Sequence, residues 1–371
     1  MTRVVESSSD VLVLDLEKDM VVLSTAGCPK IFNYIRYVVF KRVPKNFGYT
    51  DLDKYCQELS ETLNLDYQRT TIFLTAVDIS TYSSAKTFYR DVEAEVFITL
   101  GINTPSCVSI EQDNSFEKTV GTINIAIVVN KPLSRLALLD LFRLVSEVKG
   151  ALIALGGPQC INGVSIGTAS DATAVIAPEG FERFAGIATD VGIAVSKALV
   201  KALTNLLTKG NVGDYVAQTL GLKSFDDVVR VAEKIYSYAP IPRLEKNVVV
   251  KEVEEELLKA LRDPNIQILV RGMKLAEVCA QLGLIPSITF KEFSSDTPRI
   301  IVDELVGKAL SEYINGFKGL LAYYWVERLK ERGGIPEVGM LPPIADDFLG
   351  ALVGATLSRV YDRYAQNRGG E

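Results

Sequence analysis

With 371 residues, 48% of them hydrophobic and 23% charged, the chain is long enough for two domains with separate cores and has the composition of a folded protein. A formal net charge of −6, with no basic stripe, argues against a nucleic-acid partner and for small-molecule ones. The chain contains no histidine, which excludes Ser-His and Cys-His triads; bases, proton donors and ligands must come from other side chains, and oxygen ligands favour magnesium or manganese over zinc.

The five cysteines, Cys28, Cys56, Cys107, Cys160 and Cys279, are odd in number, scattered and free of any C-x-x-C pair. Neither a disulfide framework nor a thiolate zinc site is expected, and the compartment is expected to be reducing. The first ten residues lack a basic segment followed by an apolar run, and no uncharged apolar stretch reaches about 18 residues. The expectation is a soluble, cytoplasmic protein without a membrane partner.

In chain order, Val11–Leu16 and Met20–Thr25 read as two short strands, with a turn at Gly27–Pro29 and a further β-prone run over Tyr34–Phe40. Thr50 and Asp51 are placed to cap a helix over Leu52–Leu63, and Thr71–Ala76 and Ala94–Gly101 are strand candidates. Gly121–Asn130 is β-branched almost throughout and is predicted to be a central strand. Ser134 caps a helix from Arg135 to Ala154 that stops at Gly156–Pro158. Pro178–Gly180 predicts a hairpin between Thr173–Ala177 and Phe184–Ala188. Thr189 and Asp190 open a helix through Thr208.

From Gly210 onward nearly every segment has helical spacing: a start at Ser224 with Asp227, then Glu252–Leu261, Leu269–Leu282, Val302–Tyr313, Leu320–Arg332 and Asp347–Gln366. The acidic run Glu252, Glu254, Glu255 and Glu256 reads as a solvated face. The predicted fold is therefore two domains, an α+β domain over 1–211 and an all-α helical domain over 212–371.

Three stretches of the first half carry a resemblance: Gly121–Ile125, the helix with Ser146–Lys149, and Gly167–Ala172 together with Ala185–Gly192. Over roughly residues 10–207 the chain resembles the adenosylcobinamide amidohydrolase family of corrinoid salvage. The resemblance implies hydrolysis of the amide joining the corrin propionyl arm to aminopropanol, giving adenosylcobyric acid. Such chemistry needs a base, an acid for the leaving amine and donors for the developing oxyanion. Asn124, Glu147, Lys149 and Asp171 are the catalytic candidates, and Thr122, Gly167, Thr168 and Asp190 the substrate-binding ones. Plainer readings are a strand hydrogen bonder for Asn124, a turn former for Asp171, a solvated helix face for Glu147 and Lys149, and a helix cap for Thr189 with Asp190. The family's Asn near Tyr37–Phe40 is replaced by Phe40.

Over about 222–366 the chain resembles the phosphatidylglycerophosphatase A-like family, on Val302–Gly307, Asn315–Gly319 and Ala345–Gly350. Members found with the amidohydrolase are similar to α-ribazole 5'-phosphate phosphatases. This resemblance implies a magnesium cofactor held by Asp303, Glu304, Asp346 and Asp347, with Lys318 as a catalytic cation and Asn315 binding substrate. The family carries Asp where Asn315 stands. Asp346, Gly350 and Gly354 share one helix face, so a neighbouring helix can approach closely, and the helix start can assist anion binding. Capping of that helix by Asp346, with Asp347 complementing its dipole, is the plainer reading.

Together the halves suggest a bifunctional hydrolase whose partners are its corrinoid and α-ribazole phosphate substrates, with homo-oligomerisation left open. The alternatives are a non-catalytic corrinoid-binding protein with a helical oligomerisation domain, or a phosphatase for a phosphatidylglycerophosphate-like headgroup.

Overall fold

In the computed structural model, which describes residues 2–48, 51–102, 105–110, 121–295 and 297–366, the chain forms two compact units. The first is α+β and the second helical, the fold class predicted from the sequence. The main division falls between Lys209 and Gly210, and short segments beginning at Cys107 and Pro158 also belong to the helical unit.

The first unit is built on strands β1 (Arg3–Ser7), β2 (Val11–Ser24) and β3 (Ile31–Arg42), helix α1 (Leu52–Thr62), then β4 (Thr70–Thr75), β5 (Ser83–Tyr89) and β6 (Val92–Gly101). The short strand β7 (Ser106–Val108) precedes β8 (Thr122–Val129), α2 (Arg135–Gly156), β9 (Val164–Gly167), β10 (Ala172–Ala177) and α3 (Asp190–Leu207). The large sheet runs β4-β3-β2-β10-β8-β6-β5, with β1 paired to β2. Its β8–β10 and β3–β4 pairs are parallel.

All eight residues of β8 are buried. Ile123, Ile125, Ile127 and Val129 pack with Leu138, Leu141 and Val145 of α2 and Val191, Val195 and Leu199 of α3. The alternate residues Ala126 and Val128 join a second core with Leu12, Phe40, Phe73 and Phe97. A strand covered on both faces loses the apolar–polar alternation, which is why Gly121–Asn130 reads as a continuous apolar run. Asn124 Nδ2 donates to the Leu74 carbonyl of β4 at 3.1 Å, joining strands that three others separate in the sheet order.

Several local expectations are corrected. The two predicted opening strands are one, β2, whose Glu17 (φ 62) makes a bulge where the register to β3 shifts between Asp15 and Met20. The hairpin at Pro178–Gly180 is absent: β10 forms, but Leu133 N donates to Pro178 O and Gly180 N to Leu133 O, so the returning chain bonds the turn before α2 instead. Of its apolar residues only Ala185 is buried, while Phe184 and Ile187 are exposed. Asp51 caps α1 by accepting from Lys54 N, whereas Thr50 lies outside the described residues.

Four of the five cysteines are paired, against the sequence expectation: Cys28 with Cys56 and Cys107 with Cys160, at Cα separations of 6.4 and 6.0 Å. The turn after β2 and the packing of α1 create the first approach, which spacing along the chain does not reveal.

The helical unit comprises α4 (Val212–Thr219), α5 (Phe225–Ser237), α6 (Lys246–Leu261), α7 (Pro264–Gln281), α8 (Phe290–Ser294), α9 (Val302–Glu331), α10 (Pro336–Gly339) and α11 (Pro343–Gln366). Helix α11 is its axis. Phe348, Leu349, Ala351, Leu352, Val353 and Ala355 are all fully buried, so the helix is apolar nearly all round because neighbours cover it. Glu256 is likewise no solvated residue: it is 6% exposed and paired with Arg363 of α11.

Helix α9 is helical except at Asn315 (φ −143°, ψ 32°) and Gly316 (φ 56°, ψ −147°), where it folds back on itself. The positive φ is one a glycine adopts without strain. The two arms then pack through missing side chains. A Cβ on Gly307 would lie 2.5 Å from the Tyr323 ring, and one on Gly319 would lie 2.2 Å from the Ser311 carbonyl oxygen. The second arm also packs on α11, where a Cβ on Gly354 would lie 3.1 Å from the Ala322 carbonyl oxygen.

Candidate active sites

In the first unit, polar groups converge where β8 and β10 begin. The parallel register pairs Ala172 with Asn124, which sets Asp171 beside Ile123. Asp171 Oδ1 accepts from Ile123 N at 2.9 Å and from Thr168 Oγ1 at 2.5 Å. Its Oδ2 accepts from Thr168 N at 3.1 Å and from Lys149 Nζ at 2.6 Å. Alongside, Thr122 Oγ1 and Ser170 Oγ are 2.8 Å apart, and Ser170 Oγ donates to Gly121 O at 2.7 Å. Gly167 (φ 144°) makes this possible, because a Cβ there would lie 2.2 Å from Asp171 Oδ2.

Lys149 reaches this cluster because it continues the Leu138, Leu141, Val145 stripe of α2, at helical spacing, toward the sheet. Thr122, Lys149, Gly167, Thr168 and Asp171 are thus brought together. The other candidates go elsewhere. Glu147 is two residues from Lys149, about 200° around the helix, and its 55%-exposed side chain pairs with Arg143 at 2.5 Å. Asn124 follows Ile123 on β8 and turns to the sheet's other face; it is 1% exposed, and its Oδ1 has no hydrogen-bond partner among the described residues. Asp190 pairs with Arg90 at 3.1 Å, and Thr189 caps α3 by accepting from Gly192 N. Ser170 was not singled out by the sequence reading, although it lies inside the Gly167–Ala172 stretch.

In the helical unit the fold-back of α9 carries Asp303 and Glu304 to Asp347, and carboxylate oxygens of the three lie within 4.8 Å of one another. Asp347 Oδ2 accepts from the Tyr323 hydroxyl at 2.8 Å. Lys330 sits among three further contacts, 2.6 Å from Glu327, 3.1 Å from Asp346 and 2.8 Å from Asp347. Tyr323, Glu327 and Lys330 escaped the sequence reading, yet their i, i+4, i+7 spacing puts them on one face of the predicted helix.

Three carboxylates, Glu327, Asp346 and Asp347, therefore share the Lys330 ammonium, with buried Asp303 and exposed Glu304 beside Asp347, and Glu327 Oε1 and Asp346 Oδ1 have no hydrogen-bond partner among the described residues. The electrostatic consequence is proton retention. Burial, then the neighbouring Glu304 and Asp347, pushes Asp303 up to about 8. Burial pushes Asp346 up to about 9, with Asp347 adding to the effect and Lys330 opposing it. Glu327 rises to about 7 through burial and Asp347, against Lys330. Burial disfavours the Lys330 ammonium, but Asp346, Asp347 and Glu327 outweigh it and raise its pKa. An all-oxygen donor set with uncompensated charge and orphaned buried oxygens fits a hard divalent cation.

Two of the predicted residues lie apart from the carboxylates. Lys318 pairs with Asp362 at 2.6 Å and Asn315 Nδ2 donates to Ser358 at 2.8 Å. Asp362 is fifteen residues beyond Asp347 on α11, about 22 Å at 1.5 Å per residue. Both residues sit at the fold-back end of α9, while its two other ends meet at the carboxylates. Nor does Asp346 cap α11: the helix begins at Pro343, Asp346 N donates to Pro342 O inside the first turn, and Ala345 N donates to the fully buried Glu277 Oε2 at 2.9 Å. Glu277, paired with Lys274 at 2.5 Å, thus occupies the helix start that the sequence reading offered to an anion.

The class these features define is a two-domain α+β and all-α protein with one polar cluster in each half. Residues 1–212 match the adenosylcobinamide amidohydrolase family, and the chain belongs to that family. No curated protein matches it. Among solved structures, the low temperature requirement C protein from Listeria monocytogenes is 19% identical with a TM-score of 0.34, over 43% of this chain and 99% of that one. A protein of unknown function from Bacillus stearothermophilus is 18% identical with a TM-score of 0.33, over 41% and 92%. The ypjQ protein from Bacillus subtilis is 20% identical with a TM-score of 0.34, over 42% and 96%.

Proposed function

We propose that the chain is a bifunctional hydrolase of corrinoid salvage, in which residues 1–211 hydrolyse adenosylcobinamide to adenosylcobyric acid and aminopropanol, and residues 212–371 release phosphate from α-ribazole 5'-phosphate. The first activity is supported by family membership together with the Thr168–Asp171–Lys149 cluster, which supplies a hydroxyl, a carboxylate and an ammonium without histidine. Lys149 is the acid for the leaving amine.

The observation that carries the second activity is the approach of Asp303, Glu304 and Asp347 within 4.8 Å, next to the Lys330 pairs with Glu327, Asp346 and Asp347, read with the resemblance of the helical half to the phosphatidylglycerophosphatase A-like family. Asp303, Glu304 and Asp347 would hold magnesium, whose charge neutralises phosphate oxygens and stabilises the leaving group. Lys330 balances the inner carboxylates and keeps Asp346 and Asp347 oriented, and Tyr323 orients Asp347 through its hydroxyl. The substrates are small molecules. No single helix among the described residues is long and apolar enough to cross a membrane.

The test is direct. The purified chain is incubated separately with adenosylcobinamide and with α-ribazole 5'-phosphate, with and without magnesium, and aminopropanol and phosphate are measured. A spectral change of the corrinoid without aminopropanol would make the first domain a binder. Faster turnover of phosphatidylglycerophosphate than of α-ribazole 5'-phosphate would move the second activity to a lipid headgroup.

A further inference from the structure

We infer that Thr168 is the nucleophile of the amidohydrolase domain, attacking the amide carbon through Oγ1 with Asp171 as its base. This inference rests on the amidohydrolase reading above. A protein without histidine must pass the proton of a hydroxyl nucleophile to another base, so the direction of each hydroxyl's hydrogen bond decides which one can act.

Among the described residues, three hydroxyls meet where β8 and β10 begin. Ser170 Oγ donates to the Gly121 carbonyl at 2.7 Å, which leaves Thr122 Oγ1 to donate to Ser170 Oγ at 2.8 Å. Neither a carbonyl nor a hydroxyl is a useful base. Thr168 Oγ1 instead donates to a carboxylate, Asp171 Oδ1, at 2.5 Å. The Ile123 and Thr168 backbone amides fix that carboxylate, and Lys149 holds its other oxygen at 2.6 Å. The proton passes to Asp171 along this hydrogen bond as the carbon–oxygen bond forms. Gly167 lets the carboxylate and its lysine pack against the bare backbone; a Cβ there would lie 2.2 Å from Asp171 Oδ2 and 3.1 Å from Lys149 Nζ.

The steps balance without a further reactant. Thr168 Oγ1 bonds to the amide carbon, its proton passes to Asp171, and the carbonyl electron pair moves onto oxygen. The carbonyl reforms as the carbon–nitrogen bond breaks; the nitrogen takes a proton from Lys149, which regains one from Asp171. This leaves an acyl ester on Thr168 and a free amine. Water then hydrolyses the ester to the carboxylic acid and restores the hydroxyl.

The experiment compares wild type, Thr168→Val and Thr168→Ser with adenosylcobinamide, following aminopropanol release and, after acid quench at successive times, the mass of the peptide containing residue 168. The expected result is a loss of about 1000-fold or more in Thr168→Val, partial activity in Thr168→Ser, and a corrinoid-acyl adduct on that peptide in wild type. Unchanged thermal melts show that both variants fold, and Thr168→Ser keeps the question decidable if the valine variant does not. Activity of Thr168→Val within about tenfold of wild type, or no adduct on that peptide through a complete turnover, overturns the assignment and leaves water as the nucleophile. If wild type releases no aminopropanol, the amidohydrolase reading itself fails and the inference falls with it.

Discussion

Lys330 donates to Asp347 Oδ1 at 2.8 Å, linking the second arm of α9 to the first turns of α11. Among the described residues no other cationic side chain pairs with Glu327, Asp346 or Asp347, so removal of this ammonium separates two kinds of stabilisation. Lys330→Met strips a buried carboxylate group of its counter-charge and is expected to cost about 3–5 kcal/mol in metal-free buffer. Urea denaturation with and without 10-fold-excess magnesium checks this. Added magnesium should recover part of the loss, whereas equal destabilisation in both buffers would mean that no cation reaches the carboxylates.

Asp303, Asp346 and Glu327 have folded-state pKa values raised to about 8, 9 and 7. The native state therefore holds more protons than the unfolded state between the ordinary carboxylate range and pH 9, and stability falls as pH rises through that window. Without divalent metal the melting temperature should decrease from pH 6 to pH 9. A cation bound to these oxygens displaces their protons, so the upward shift produced by magnesium should be larger at pH 9 than at pH 6. A magnesium shift that is the same at both pH values would contradict a carboxylate site.

Asp347→Asn and Asp303→Asn should each lower magnesium-dependent phosphate release by at least about 100-fold. Lys318→Ala should leave it within about twofold, since that lysine pairs with Asp362 at the other end of the helices. Initial rates of phosphate release from α-ribazole 5'-phosphate distinguish the two outcomes. Equal losses in all three variants would place the reacting phosphate near Lys318 instead.

Gly167→Ala forces a positive φ on an L-residue and drives its Cβ into Asp171. The expected cost is about 1–3 kcal/mol, with loss of aminopropanol release. Gly150→Ala, one residue after Lys149, meets nothing within 4 Å and should be neutral or stabilising by up to about 1 kcal/mol. Chemical denaturation of the two variants measures the contrast, and tolerance of alanine at 167 would show that the Asp171–Lys149 pair can relax.

Much of this organisation was legible from residue order. The apolar run at Gly121–Asn130, the caps at Ser134 and Thr189, and the change to helical spacing after Gly210 are local signals, set by backbone sterics and side-chain periodicity. So was the pairing of acidic residues with small ones in Ala345–Gly350. The hairpin at Pro178–Gly180 was misread because turn residues mark where a chain bends and not what it bonds afterward. The cysteine pairs were missed because nothing in their spacing records the approach of α1 to the turn after β2.

The residue types by themselves determined that this protein works without imidazole, that its two halves differ in class and that carboxylates dominate the helical half. Only the tertiary structure decided which of them meet. Asn315 is expected to bind substrate, but its backbone and that of Gly316 fold α9 back, which brings Asp303 and Glu304 to Asp347 and leaves Lys318 at the far end. In the other half, the helical offset between Glu147 and Lys149 sends one to solvent and the other to Asp171. Sequence sets local conformation through short-range forces, whereas a site depends on through-space distances that only packing fixes.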